Sequence, residues 1–369
     1  MKFQIQREQI LSILQKIYLV SIQRATAPIL ENILIKITNK TDLLIIGTNL
    51  DIELKKNIKL TSCSENGETT VSAKKILNVI RSFSPKTKID LILKNEKLLI
   101  FCKQIKFSLS TLPAKNFPSI NILDNQKEIS LIENNFKMLL ESTYFAMANQ
   151  DVRSYLNGML FEIKTNCIHV IATNGHRLSR AKCAISSNID FDYAIIIPRN
   201  GILNLVRILE NTNKTVKFNI SKKYICISVS GYTLTSKLLE GKFPEYNYIF
   251  EKNYLDNNII LVDCTMLKNA LKRISILSDK SNSIILSLKK NCMIVYIKNI
   301  FHEKAEEILE INYIGKFIEI GFNVSYMLDA LNTIKSNKVK IFIINSKSSI
   351  LIEDESDFAI NHIIMPIRI

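Results

Sequence analysis

The chain has 369 residues, 47% of them hydrophobic, and a formal net charge of +15. That length suits about two to three domains rather than one core, and the apolar runs stop at strand length, short of the roughly 18–20 residues that cross a bilayer. The seven cysteines are odd in number and lack any CxxC spacing, which argues against a disulfide framework or a zinc motif and leaves them as small buried hydrophobes.

From Met1 to Arg7 polar and apolar residues alternate and lead straight into a helix pattern over Glu8–Tyr18. There is no h-region or cleavage site, so no signal peptide is expected and the expected location is cytoplasmic. A strand at Ile33–Ile37 and the run Leu43–Gly47 follow, with Thr48-Asn49 ahead of a further strand. A second helix, Val71–Ile80, buries a stripe of Ile76, Val79 and Ile80. The turn residues in Leu93–Leu98 predict a hairpin, Phe107–Thr111 a strand, and Phe117-Pro118 a landmark after it.

The same succession then returns twice. Opening helices are expected at Glu133–Met147 and Thr265–Leu277, each leading to a strand, Met159–Ile163 and Ile284–Leu288. Later helices lie within Ile197–Val206 and Phe322–Leu331. Aligning Ile76, Ile202 and Met327 gives steps of 126 and 125 residues. Thr173-Asn174 and Phe243-Pro244 echo their counterparts in the first copy. A period this long is a domain rather than a solenoid turn. The expectation is an α+β fold of three tandem domains, 1–124, 125–252 and 253–369, each with two helices packed on antiparallel sheet. The boundaries fall in polar stretches near 122–128 and 250–256.

No catalytic constellation emerges. The four histidines show no HExxH spacing, and there is no Walker, GxGxxG or GxSxG motif. Within Thr173–Leu178, His176 could act as a general base beside Asp151, but Asn174-Gly175 reads more simply as a turn carrying a hydrogen-bonded histidine and a packed leucine. No catalytic residue, metal ligand or cofactor is assigned, and the chain is read as a binding protein rather than an enzyme.

The basic residues recur off the apolar helix stripes: Lys74, Lys75 and Arg81, then Arg199 and Arg207 with Asn204, then Lys268, Lys272 and Arg273, with Arg24 in a loop. Repeated basic helix faces suit sequence-independent contact with a nucleic-acid backbone. The composition is heavy in Ile, Lys and Asn, so a compositional bias is the alternative source of part of this charge.

The segments Phe107–Ala114, Gln150–Arg153, Tyr155–Glu162, Thr173–Leu178, Thr235–Leu238, Phe243–Tyr246, Ala305–Leu309, Ile320–Tyr326 and Met365–Ile369 together resemble the bacterial DNA polymerase III beta subunit family, the sliding clamps, along essentially the whole chain. The resemblance implies a head-to-tail homodimer closed into a ring, helices lining the hole, that encircles duplex DNA and tethers the replicative polymerase. It implies DNA-facing positions at Arg24, Lys74, Gln150, Tyr155, Arg199 and Arg207. It implies a subunit contact using Lys106, Phe107 and Leu109 against Ile276, Leu277, Glu303, Glu306 and Glu307. It also implies a partner-peptide cleft built from Arg153, Leu156, Thr173, Gly175, His176, Arg177, Leu178, Pro244, Ile249, Asn323, Tyr326, Ser349, Ile363, Ile364, Met365, Pro366, Ile367 and Arg368. The partners implied are the polymerase III alpha subunit, the clamp-loader delta subunit, other DNA polymerases, mismatch-repair proteins and ligase, with no membrane partner. Ser154, Tyr248 and Lys347 depart from the family pattern, as does the +15 charge. A role mainly as a docking hub for repair or ligation proteins is the alternative.

Overall fold

The computed structural model describes residues 1–21, 27–61, 65–120, 127–185, 192–250, 259–278, 282–299, 301–357 and 359–367. Both expected domain boundaries lie largely outside these residues. The chain packs as two compact units, Met1–Lys137 with Asn200–Leu238, and Met138–Arg199 with Leu239–Ile369. Each unit thus holds one terminal copy of the repeat and part of the central one. The first unit has 27 Lys and Arg against 13 Asp and Glu, and the second has 22 against 21, so the excess charge divides as +14 and +1.

The helices are α1 (Arg7–Ser21), α2 (Ala73–Ser82), α3 (Glu133–Glu141), α4 (Arg199–Ile208), the single turn α5 (Asn247–Phe250), α6 (Cys264–Ile274) and α7 (Val324–Leu331). Three of them start where a strand ends on a capping residue. Ser72 accepts from the Lys75 N–H at 3.4 Å, Asp263 from Met266 at 2.7 Å and Asn323 from Tyr326 at 3.2 Å; a cap of this kind is worth about 1 kcal/mol. In the first unit α1 buries Ile10, Ile13, Leu14 and Ile17. A side chain at Gly47 would meet Ile17 Cγ2 at 2.6 Å, so glycine there lets the strand approach the helix.

Two expectations need correction. The opening helix of the central copy stops at Glu141, well before Met147. The Ser142 and Thr143 hydroxyls donate back to the carbonyls of Met138 and Leu139 at 2.6 and 2.7 Å, and a 3-10 turn over Tyr144–Ala146 follows. Asn204, expected to point outward, is buried and donates Nδ2 to the Asn200 carbonyl at 2.8 Å.

Among the described residues all strand pairs are antiparallel. The twelve-stranded sheet of the first unit reaches Lys2–Gln6 on one side and Lys127–Ile132 on the other. The second unit has an eight-stranded sheet, from Tyr193–Pro198 to Ile259–Asp263, and a four-stranded one with Lys304–Glu310 at its edge.

The joins between copies repeat in register. Ile52–Lys56 of the first copy pairs with Tyr232–Ser236 of the second, Ile52 opposite Ser236 and Lys56 opposite Tyr232. The equivalent strands of the next join, Arg177–Ala181 and Ile360–Ile364, pair Arg177 with Ile364 and Ala181 with Ile360. A bridge beside each join recurs too: Thr70↔Leu112, Ile196↔Leu239 and Gly321↔Ile367. The third strand of the first type is the edge strand Lys304–Glu310. The third of the second type is Ile105–Leu112, which pairs with Lys97–Cys102 but meets its other neighbour only at Thr111 and Leu112.

Candidate partner-binding cleft

The described residues among those expected to form the cleft lie within the second unit. The strand Ile360–Ile364 lies beside Arg177–Ala181, and the chain beyond it stays anchored: the Met365 N–H donates to the His176 carbonyl at 2.9 Å and the Ile367 N–H to the Gly321 carbonyl at 2.8 Å. That spacing leaves Met365 and Ile367 46% and 36% exposed while Ile363 and Ile364 are buried, so the segment serves as a core strand and as a surface. Leu178 and Ile363 pack with Leu160, Ile171, Ile196, Phe243, Tyr246 and Leu351, with Tyr155 and Ile249 against them. A cavity of about 400 Å³ lined by Leu160, Ile196, Phe243, Pro244 and Tyr246 adjoins this cluster.

Local hydrogen bonds shape the Thr173–Leu178 turn. Asn174 Oδ1 accepts from the backbone N–H of His176 and of Arg177, both at 3.0 Å, and Thr173 Oγ1 donates to the Arg177 carbonyl at 2.7 Å. Gly175 at φ +87° completes the turn, and the Arg153 guanidinium sits 3.2 Å from where a Cβ would be. Arg153 is itself fixed by Asp151, donating Nε and Nη2 to its carboxylate at 3.0 Å. Those bonds hold the Asp151 carboxyl down at about 2. Asp151 is thus engaged with Arg153, and His176 is exposed at the rim.

Arg177 is the polar centre. Its guanidinium meets the Asp329 carboxylate at 2.6 Å, lies over the rings of Tyr326 and Phe145 at 4.3 and 5.3 Å, and donates to the Phe145 carbonyl. Asn174 Nδ2 donates to the Tyr326 hydroxyl at 3.1 Å. Asn174, Asp329 and Phe145 were not among the expected site residues. Asp329 was detectable in principle, since its spacing from Tyr326 on α7 puts both on one helix face. Beneath them His362 is fully buried between Ser179 and Thr333, its ring nitrogens 2.9 and 2.7 Å from their hydroxyls. Burial, with Arg177 adding, lowers its pKa to about 3. Leu156, Thr173 and Ser349 are buried, and Arg368 lies outside the described residues. A larger cavity of about 720 Å³, lined by Tyr313, Phe317 and Ile344 among others, contains none of the expected cleft residues.

Models of the DNA polymerase III beta subunit match the chain in three consecutive parts: the N-terminal domain at 1–121, the central domain at 130–245 and the C-terminal domain at 252–368. The chain belongs to the DNA polymerase III beta subunit family. It is 38% identical to the beta sliding clamp of Haemophilus influenzae and 36% identical to that of Escherichia coli, with all of both chains covered in each case. A sliding clamp structure from Pseudomonas aeruginosa bound to griselimycin superposes with a TM-score of 0.93 at 34% identity, and one from Bartonella birtlesii, also bound to griselimycin, with 0.94 at 27%. Each covers all of this chain.

As a sliding-clamp family member, the chain carries its other expected site residues as follows. Lys74 on α2 and Arg207 on α4 are exposed, Gln150 is exposed at φ +60°, and Tyr155 is half-buried. Arg199 is drawn inward, donating to the Met147 carbonyl at 3.1 Å. Arg24 lies outside the described residues. Lys106 is exposed, while Phe107 and Leu109 are half-buried, with the Phe107 ring 5.9 Å from Phe83. Ile276 is 79% exposed beside half-buried Leu277. Glu303 and Glu306 are exposed, and Glu307 accepts from Arg273 Nε at 2.9 Å. No helix among the described residues is long and apolar enough to cross a membrane.

Proposed function

We propose that two copies of this chain close head to tail into a ring around duplex DNA and act as a processivity clamp for the replicative polymerase. The open third join carries this reading. Two joins of one register are formed within the chain, and among the described residues the strands for a third keep open edges, Lys304–Glu310 along its length and Ile105–Leu112 short of Thr111. Carrying the repeated register over sets Lys106 opposite Glu306, Ile105 opposite Glu307 and Leu109 opposite Glu303 of the second copy. Pairing them removes two exposed strand edges and adds an ion pair.

On this reading the exposed Lys74, Arg207 and Gln150 face the phosphate backbone without base readout, and the resemblance adds Tyr155, Arg24 and Arg199, one of whose N–H groups is already held by the Met147 carbonyl. The cleft takes an extended apolar peptide: Leu178 and Ile363 floor it, and Met365 and Ile367 remain open to contact. Peptides of this kind from the alpha subunit, the delta subunit of the clamp loader, other polymerases, mismatch-repair proteins and ligase would compete for it. The protein loaded on nicked circular DNA should stay bound through gel filtration and be lost once the circle is cut. Equal loss from both forms would refute encirclement.

A further inference from the structure

Three lysines converge on one turn of the first unit, apart from the cleft. Lys56 stands opposite Tyr232 in the sheet, with Nζ 4.1 Å from the tyrosine ring centroid, and it donates to the Ser230 carbonyl at 2.6 Å. Lys16 of α1 brings its Nζ to 4.8 Å from the same centroid. Lys214 donates to the Ser230 hydroxyl at 3.2 Å. The carboxylate facing them is Glu210, 3.5 Å from Lys16 Nζ and itself exposed. Three cations therefore share one acid around a half-buried amine.

We propose that Lys56 is a site of Nε-acylation by acyl phosphates, the mixed anhydrides of a carboxylic acid and phosphoric acid. Lys16 and Lys214 draw the phosphate end of the donor and stabilise it as it leaves. The Ser230 carbonyl holds the Lys56 nitrogen in place. The lone pair of the neutral amine forms the new N–C bond at the acyl carbon, and the C–O bond to phosphorus-bound oxygen breaks. Its electron pair departs with phosphate, and the amine proton passes to water. Burial, with Lys16 and Lys214 adding and Glu210 opposing, shifts the amine below the ordinary lysine range and so enlarges its neutral fraction. Tyr232, pushed up to about 12 by burial, is a neutral phenol and supplies no counter-charge. The product amide removes one cation from the cluster.

The full chain treated with acetyl phosphate at neutral pH, with each lysine followed by peptide mass spectrometry, tests this. Lys56 should be acetylated about fivefold faster than the exposed Lys94 and Lys97. Lys16→Gln and Lys214→Gln should each slow it about threefold with acetyl phosphate and much less with an uncharged acetyl ester. A rate at Lys56 no higher than at Lys94 overturns the proposal. Equal slowing of both reagents by the two variants overturns the role given to the flanking lysines.

Discussion

Arg177 and Asp329 meet at 2.6 Å although they come from different copies of the repeat, the first on a strand of the central copy and the second on α7 of the last. The Arg177 side chain is 11% exposed and that of Asp329 39%, so the pair is partly screened. Asp329→Asn is expected to cost about 1 kcal/mol in urea unfolding, below the value for a fully buried pair. It should also weaken a clamp-binding peptide severalfold, because Arg177 loses the partner that aims it. A cycle with Arg177→Gln checks the coupling, and strictly additive effects would mean that the two side chains act separately.

Gly175 offers a sharper test of the turn. At φ +87°, with Arg153 filling the adjacent space, Gly175→Ala is expected to cost about 1–2 kcal/mol and to displace Arg153. Peptide affinity measured by calorimetry should fall further than for Ser154→Ala, which sits exposed nearby without such constraint.

The register of the open join can be read by charge reversal. Lys106→Glu or Glu306→Lys alone should raise the dimer dissociation constant in sedimentation, and the two together should restore much of the loss. Failure of the double reversal to recover would shift the register away from the one repeated within the chain.

Stability should fall with acidity in a defined window. His362 is held neutral in the folded chain with its pKa lowered to about 3, while unfolding frees it to protonate near its ordinary 6.5. Between those values the unfolded chain binds the extra proton, so this contribution is intact above pH 6.5 and is lost as pH falls towards 3. His362→Gln should flatten the slope of unfolding free energy against pH between about 6.5 and 5, ahead of most carboxylate titration. An unchanged slope would assign the acid sensitivity elsewhere.

Deletion of Met365–Ile369 should abolish peptide binding and leave the dimer intact, since the strand Ile360–Ile364 and its pairing with Arg177–Ala181 precede the cut. Peptide binding at unchanged affinity would remove this segment from the cleft.

The parts of the molecule legible from residues alone were those set by local rules. Helix spacing marked α2 and α7, and the strand-to-helix switches sit on Ser72 and Asn323, whose side chains cap the next turn. Local rules failed where a side chain chose between partners. Asn204 satisfies its own helix and packs inward, and Ser142 and Thr143 end α3 by bonding backwards. The pairing of Ile52–Lys56 with Tyr232–Ser236 joins strands far apart in sequence, and alternation of side chains does not name the partner. In the cleft, the resemblance supplied the apolar floor and rim, whereas the Arg177–Asp329 bond needed the two copies to be set side by side.

The uneven division of charge, +14 on one unit and +1 on the other, would give assembly of the proposed ring a direction. In the proposed ring, each join through Ile105–Leu112 and Lys304–Glu310 would set a strongly basic unit against a nearly neutral one. The reverse pairing, basic unit to basic unit, would oppose two large like charges and so would be disfavoured relative to the head-to-tail polarity. Such orientation filtering weakens as salt screens it, and misassembled pairs should therefore appear at high ionic strength sooner than correct ones fall apart.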